Sequence, residues 1–132
     1  MGRLHYGIPD EVWPDPEPVV DERRVRLNTL LECGARRFKF FYDFGDGWEH
    51  TVKVEDLVMP PKEGPRIRCV AGENACPPED VGGPNAYFDF LTAIKDPAHE
   101  EHRVMLEWIG GSFDPAAFSI TDANERLSAI KA

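Results

Sequence analysis

Phe38-Lys39-Phe40-Phe41-Tyr42-Asp43-Phe44-Gly45-Asp46-Gly47-Trp48-Glu49-His50-Thr51-Val52-Lys53-Val54 reads as a β-hairpin with an acidic, glycine-flanked tip. Phe38, Phe40, Tyr42 and Phe44 alternate onto one face of a first strand, and Trp48, His50, Val52 and Val54 onto one face of a second. Between them Gly45-Asp46-Gly47 marks the reversal, because glycine supplies the positive φ that tight turns need and Asp tolerates it. A slip of one residue would carry the aromatic set to the opposite face, so the register is strongly specified. The pattern predicts a rigid aromatic scaffold that gathers Asp43, Asp46, Glu49 and His50 at one end.

On the N-terminal side, residues 1–22 are rich in Pro and acid and read as an irregular lead-in, since proline cannot donate to a sheet ladder. Arg24 to Leu27 has the character of a short strand, and Asn28 reads as the N-cap of a helix through Glu32 that Gly34 stops. On the C-terminal side, residues 59–84 form a long Pro/Gly-rich loop in which only Arg66 to Val70 looks strand-like. Pro84 suits a first helical turn, which predicts a helix over Ala86 to Lys95. Asp96-Pro97 opens a third helix that carries Val104, Met105, Trp108 and Ile109 and ends at Gly110-Gly111. Asp114-Pro115 begins a further helical turn, Phe118 to Ile120 is extended, and Thr121 caps a last helix through Ile130. Strands come early and helices late. That order predicts one α+β domain over 1–132, an antiparallel sheet built around the aromatic hairpin with C-terminal helices packed on it. Trp48, Trp108, the Phe series and Cys33 are the expected core.

Composition narrows the function classes. The chain has 132 residues, 42% of them hydrophobic, as in ordinary globular proteins. Its formal charge of −9 opposes non-specific nucleic-acid binding, and the clusters Arg23, Arg24, Arg26 and Arg36, Arg37, Lys39 read as solvated edges. No apolar run reaches membrane-spanning length and no signal-peptide core is visible, so no membrane association is expected. Three cysteines, Cys33, Cys69 and Cys76, make an odd count, which points to reduced thiols, no disulfide and a cytoplasmic location.

Three strings then stand out: Tyr42-Asp43-Phe44-Gly45-Asp46-Gly47-Trp48-Glu49-His50, Cys69-Val70-Ala71-Gly72, and Cys76-Pro77-Pro78-Glu79-Asp80-Val81-Gly82-Gly83-Pro84. Together with Tyr87 to Leu91, Asp96-Pro97, Leu106-Glu107-Trp108 and Phe113-Asp114-Pro115, they resemble the plasmid pRiA4b ORF-3-like family. Its members also carry the label of transposable-element passenger proteins, with a resolvase-like name. The resemblance implies the fold and a mobile-element setting, and it brings no settled activity. Members usually begin with a strand bearing a Trp-Arg-Arg-like element and a helix before the segment equivalent to Tyr6-Gly7-Ile8-Pro9. This chain starts almost there and looks N-terminally shortened. An uncovered edge is a template for another chain, so self-association is expected, with Tyr6, Ile8 and Trp13 as its apolar patch.

Asp43-Phe44-Gly45 matches the Mg²⁺-holding tripeptide of kinases, but there is no Gly-rich phosphate loop and no His-Arg-Asp loop. A serine recombinase is equally unsupported, because Ser112, Ser119 and Ser128 lie late in the chain without attendant arginines. The candidate functional cluster is Asp43, Asp46, Trp48, Glu49, His50, Glu79 and Asp80, with no catalytic role assigned. Asp43, Asp46, His50 and Asp80 offer hard oxygen ligands and one imidazole to a divalent metal. Six residues separate Cys69 from Cys76, a wider gap than the two to four of zinc pairs. The plainer reading is that Asp46 makes the turn, Glu49 faces water, His50 packs beside Trp48, and Glu79-Asp80 clamps the loop near a helix N-terminus. No cofactor is expected on that reading. Two functions remain: a non-catalytic interaction module that binds a protein partner or itself, and a metal-dependent hydrolytic enzyme using the tip and loop carboxylates.

Overall fold

The computed structural model describes residues 5–9, 12, 17–59 and 61–130. They divide into two compact units, one within Met1–Phe38 and Thr51–Asp56, the other within Lys39–His50 and Leu57–Ala132.

In the first unit, β1 (His5–Gly7) pairs in parallel with β2 (Val19–Asp21), matching His5 with Val19, Tyr6 with Val20 and Gly7 with Asp21. The lead-in is therefore not irregular throughout. Pro9 and Pro18 flank the strands rather than interrupt them, and the β-branched Val19-Val20 pair suits a pleated ladder. About a dozen residues separate the two strands, enough for the crossover that parallel pairing needs. After β2 the chain makes a 3₁₀ turn over Glu22–Arg24, and the strand expected at Arg24 to Leu27 does not form: only Val25 and Arg26 are extended before α1 begins at Leu27. Asp21 causes the turn: its carboxylate accepts the Arg23 amide at 3.1 Å and takes the Arg23 guanidinium through Nε at 2.9 Å and Nη2 at 3.0 Å. That charge-assisted fork holds the Asp21 carboxyl below its usual range.

Helix α1 (Leu27–Glu32) is entered from an extended Arg26 without a side-chain cap, so Asn28 lies inside the helix rather than at its start. Gly34 ends it as expected, with φ 84°. Cys33 at the C-cap is exposed, not core, because this short helix has no fully buried residue. Next come β3 (Arg37–Tyr42) and β4 (Trp48–Lys53), the antiparallel hairpin, closed at its root by the Val54 amide on the Arg36 carbonyl at 2.8 Å.

In the second unit no helix or strand occurs among the described residues between Lys53 and Gly83. The strand expected at Arg66 to Val70 does not form. The Cys69 backbone is satisfied instead by one side chain, Asn124, whose Oδ1 accepts the Cys69 amide at 2.7 Å while its Nδ2 donates to the Cys69 carbonyl at 3.0 Å. Gly72 is needed close by, since a Cβ there would run into the Phe118 ring.

Helix α2 (Gly83–Lys95) carries the core, Phe90 and Ala93, and packs on α3 (His102–Ile109). Around Phe90 stand Trp108 at 5.7 Å and Phe113 at 5.5 Å, both edge-on, and Tyr87 stacked at 6.3 Å between ring centroids. Asp96 does not open α3. It caps the end of α2 and folds an Asx turn, with the Ala98 amide on its carboxylate at 2.9 Å, and α3 starts only at His102. Gly110 and Gly111, at φ 89° and 109°, end α3 as expected. Helix α4 (Ile120–Ser128) is capped by Ser119, whose Oγ accepts the Asp122 amide, two residues before the expected Thr121.

The expectation that the whole Phe series is core needs correction. Phe40, Phe41, Phe44 and Phe88 are all more than half exposed, and Trp108 is nearly so. A two-stranded sheet cannot cover both of its faces, and Phe44 lies beyond the end of β3.

Candidate functional site

Five residues, 43 to 47, join β3 to β4. Asp43 organises them. Its Oδ1 accepts the amides of Gly45 at 2.9 Å and Asp46 at 3.2 Å, and its carbonyl accepts the Gly47 amide at 2.6 Å. The result is a single helical-type turn capped by an aspartate rather than a two-residue reversal. Asp43 takes φ 57° and Gly47 φ 69°, so a glycine of the tip does adopt the left-handed region. The first strand is shorter than the aromatic alternation suggests, which leaves Phe44 in the turn with 95% of its surface exposed.

Because Asp43 makes the turn, Asp46 is available for another partner. Its Oδ2 accepts the Gly82 amide at 3.1 Å. Gly82, at φ 99°, is the N-cap of α2, so the acid that favours this helix N-terminus comes from the hairpin. Gly83 is buried at φ 86°, and a Cβ on it would collide with the Asp46 carbonyl oxygen. The Gly-Gly pair is thus the surface on which tip backbone and helix meet. One step earlier in the loop, both Glu79 oxygens accept the Tyr42 hydroxyl, at 3.1 and 3.3 Å. The Tyr42 hydroxyl is pushed above its usual pKa chiefly by that hydrogen bond and the Glu79 charge, with smaller contributions from burial, Asp43 and Asp80. Asp80 is exposed and left-handed at φ 59°.

Of the seven candidates, Asp43, Asp46, Glu79 and Asp80 gather at the tip. Trp48 is half-buried with its ring edge-on to Tyr87 at 6.2 Å, which ties β4 to α2. Burial raises the Tyr87 hydroxyl pKa, with Cys76 adding to it. Glu49 does not simply face water: it pairs with Lys39 on the neighbouring strand at 2.6 Å. His50 lies against Phe40, not Trp48, at 5.7 Å. Among the described residues no group of three or more His, Cys, Asp or Glu is arranged to hold a metal ion. His102 Nδ1 pairs with the Ala93 carbonyl at 2.8 Å and His99 Nδ1 accepts the Glu101 amide at 3.1 Å, so both act within the helical part.

Tyr42, Gly82, Gly83 and Asn124 were not among the sequence candidates. For the glycines the available signal was a Gly-Gly-Pro string directly before a helix. Tyr42 was signalled by the one hydroxyl on the aromatic face nearest the tip, and Asn124 by nothing in the sequence.

The Tyr6 and Ile8 part of the proposed self-association patch is half-buried and exposed, respectively; Trp13 lies outside the described residues. No described helix is long and apolar enough to cross a membrane.

Comparison with known proteins places this architecture. An uncharacterized protein y4hQ of Sinorhizobium fredii (strain NBRC 101917 / NGR234) is 45% identical over 135 residues, covering 100% of this chain and 68% of that protein. A crystal structure of a protein of unknown function from Methanosarcina mazei Go1 is similar with a TM-score of 0.73 and 32% identity, over 83% of this chain and 62% of that one. The chain thus spans about two thirds of the length of the relatives it matches. The family model described as plasmid pRiA4b ORF-3-like protein matches residues 1–122. With that match and a relative sharing its whole length, the chain belongs to the plasmid pRiA4b ORF-3-like family.

Proposed function

We propose that this chain is a non-catalytic interaction module of a family carried on plasmid or other mobile DNA, and that the hairpin tip with its clamped loop is the surface it offers. One observation carries the reading. The tip carboxylates that a hydrolytic metal site would draw on are engaged by backbone amides, Asp43 by Gly45 and Asp46, and Asp46 by Gly82. Each carboxylate keeps a second oxygen, but its orientation is set by the amides of the turn and the loop, and among the described residues the acids do not converge as a metal-holding group. Rigid presentation of a surface needs them where they are.

The test has two arms. Calorimetric titration with Mg²⁺, Mn²⁺ and Zn²⁺ is expected to give no saturable 1:1 heat that Asp46→Asn removes. A photo-crosslinking amino acid at position 44 is expected to give a discrete adduct in cells, and one at Arg103, on the exposed face of α3, none. Stoichiometric metal binding lost in Asp46→Asn, accompanied by metal-dependent hydrolysis, would replace this reading with the enzymatic one.

A further inference from the structure

We propose that the hairpin tip docks on a basic surface of a different protein, with the Phe44 ring seated in an apolar pocket and the surrounding carboxylates facing Lys or Arg. The proposal rests on the reading of the chain as an interaction module and names the chemistry of its partner.

A single exposed apolar side chain is ordinary on a protein surface. Phe44 differs in how it is held. It is 95% exposed, yet the backbone on both sides is pinned: Gly45 and Asp46 by the Asp43 carboxylate, Gly47 by the Asp43 carbonyl, and Asp46 by Gly82. Behind it Gly83 lies too close to the Asp46 carbonyl to admit a Cβ. An aromatic ring on a pre-ordered turn loses little further freedom on binding, which is how a protruding residue becomes an energetic hot spot.

The charge around it has one sign. Residues 40–52 and 69–94 carry seven carboxylates and no Lys or Arg. Asp43, Asp46, Glu79 and Asp80 are held together at the tip, and none of them forms an ion pair with a basic side chain among the described residues. The Lys39 ammonium near this region is already paired with Glu49 at 2.6 Å. Such a field repels nucleic-acid phosphate and anionic lipid headgroups and attracts a cationic protein surface, raising the association rate at low salt.

The structure also supplies clean variants. Phe44→Ala removes a side chain that supports nothing in the fold. Asp43→Asn and Asp80→Asn each remove a charge but keep a residue type that tolerates left-handed φ, and the amide introduced by Asp43→Asn retains the carbonyl oxygen that caps the turn. The probe is a phage-displayed library of helical peptides with randomised surface positions, selected on the full chain at 0.15 M salt. Selected peptides are expected to combine Lys or Arg with Leu, Met or Trp. Phe44→Ala should weaken the best of them at least tenfold with unchanged circular dichroism. The double variant Asp43→Asn, Asp80→Asn should weaken it about three- to tenfold at low salt and flatten the salt dependence. Val104→Ala on α3 should change nothing. Peptides that are neutral or acidic but still need Phe44 would overturn the basic partner and leave the interaction reading standing. Binding unaffected by Phe44→Ala, or a position-44 crosslink that joins two copies of this chain, would overturn the proposal. A selection that yields no binder would remove both readings.

Discussion

The Asp46 carboxylate at the hairpin tip accepts the Gly82 amide at 3.1 Å across 36 residues of chain. This bond and the tight approach of Gly83 to the Asp46 carbonyl join the same two pieces of backbone, so they respond to mutation in distinguishable ways. Gly83→Ala combines left-handed strain with a collision and should cost about 2–3 kcal/mol. Gly110→Ala has a similar φ of 89° but nothing within 4 Å of the added carbon, so strain alone applies and about 1 kcal/mol is expected. Asp46→Ala should cost about 1–2 kcal/mol, and Asp46→Asn less, because an acceptor remains. Chemical denaturation followed by near-ultraviolet circular dichroism ranks the four. Equal costs for the two glycines would mean that Gly83 does not touch the tip.

At the turn itself the aspartate matters more than the glycine between the two acids. Asp43→Ala removes the acceptor of two amides and should cost about 1–2 kcal/mol, while Asp43→Asn should stay within about 0.5 kcal/mol of the parent. Gly47→Val forces a β-branched residue to φ 69° and should cost well over about 1 kcal/mol. Amide exchange at Gly45 and Asp46 offers an independent check. It should accelerate in Asp43→Ala and not in Asp43→Asn.

The hairpin was legible because aromatic alternation with period two has one structural explanation, and the α2 and α3 stops were legible because Asp96-Pro97 and Gly110-Gly111 leave the backbone few options. Two kinds of feature were not. Caps were misplaced where a neighbouring residue did the same chemistry slightly earlier, as Ser119 does for Thr121, or where no side chain capped at all, as at Arg26. The division of labour between Asp43 and Asp46 was also hidden: both are turn-compatible acids, and only the approach of Gly82 decides which of them is free to reach the loop. The parallel pairing of β1 and β2 joins strands of three residues each, too short for a periodic signal, from either side of a proline-rich stretch.

Asn124 offers a test of how the long loop is held without a strand. Its amide makes both backbone bonds of Cys69 and a third to the Ile120 carbonyl at 3.0 Å within its own helix. Asn124→Ala leaves the half-buried Cys69 amide without its acceptor and should cost about 2 kcal/mol. Asn124→Asp keeps the acceptor but places carboxylate oxygen against the Cys69 carbonyl, so it should be at least as damaging. Faster labelling of Cys69 by a thiol reagent in both variants, with Cys33 labelling unchanged, is the expected readout. Unchanged Cys69 labelling would show that the loop is held elsewhere.

The Tyr42–Glu79 bond sets an alkaline limit on the clamp. The Tyr42 hydroxyl is raised above its ordinary value near 10 because its proton is donated to a carboxylate and the phenolate would stand beside that negative charge. As pH rises, the unfolded chain therefore loses this proton first. Between the unfolded and the folded pKa the folded state binds more protons, so stability falls as pH increases. The contribution is fully present below the unfolded value and is lost as pH passes the folded one. Absorbance titration of phenolate near 295 nm should show two tyrosines ionising late, one of which is lost in Tyr42→Phe. In Glu79→Gln the Tyr42 transition should move down toward the ordinary range, because an amide oxygen still accepts the hydroxyl but carries no charge. Tyr87 is also raised, by burial, and should be unmoved by Glu79→Gln. A late transition that survives Tyr42→Phe at full amplitude would assign it to Tyr87 and remove the Glu79 clamp from the account.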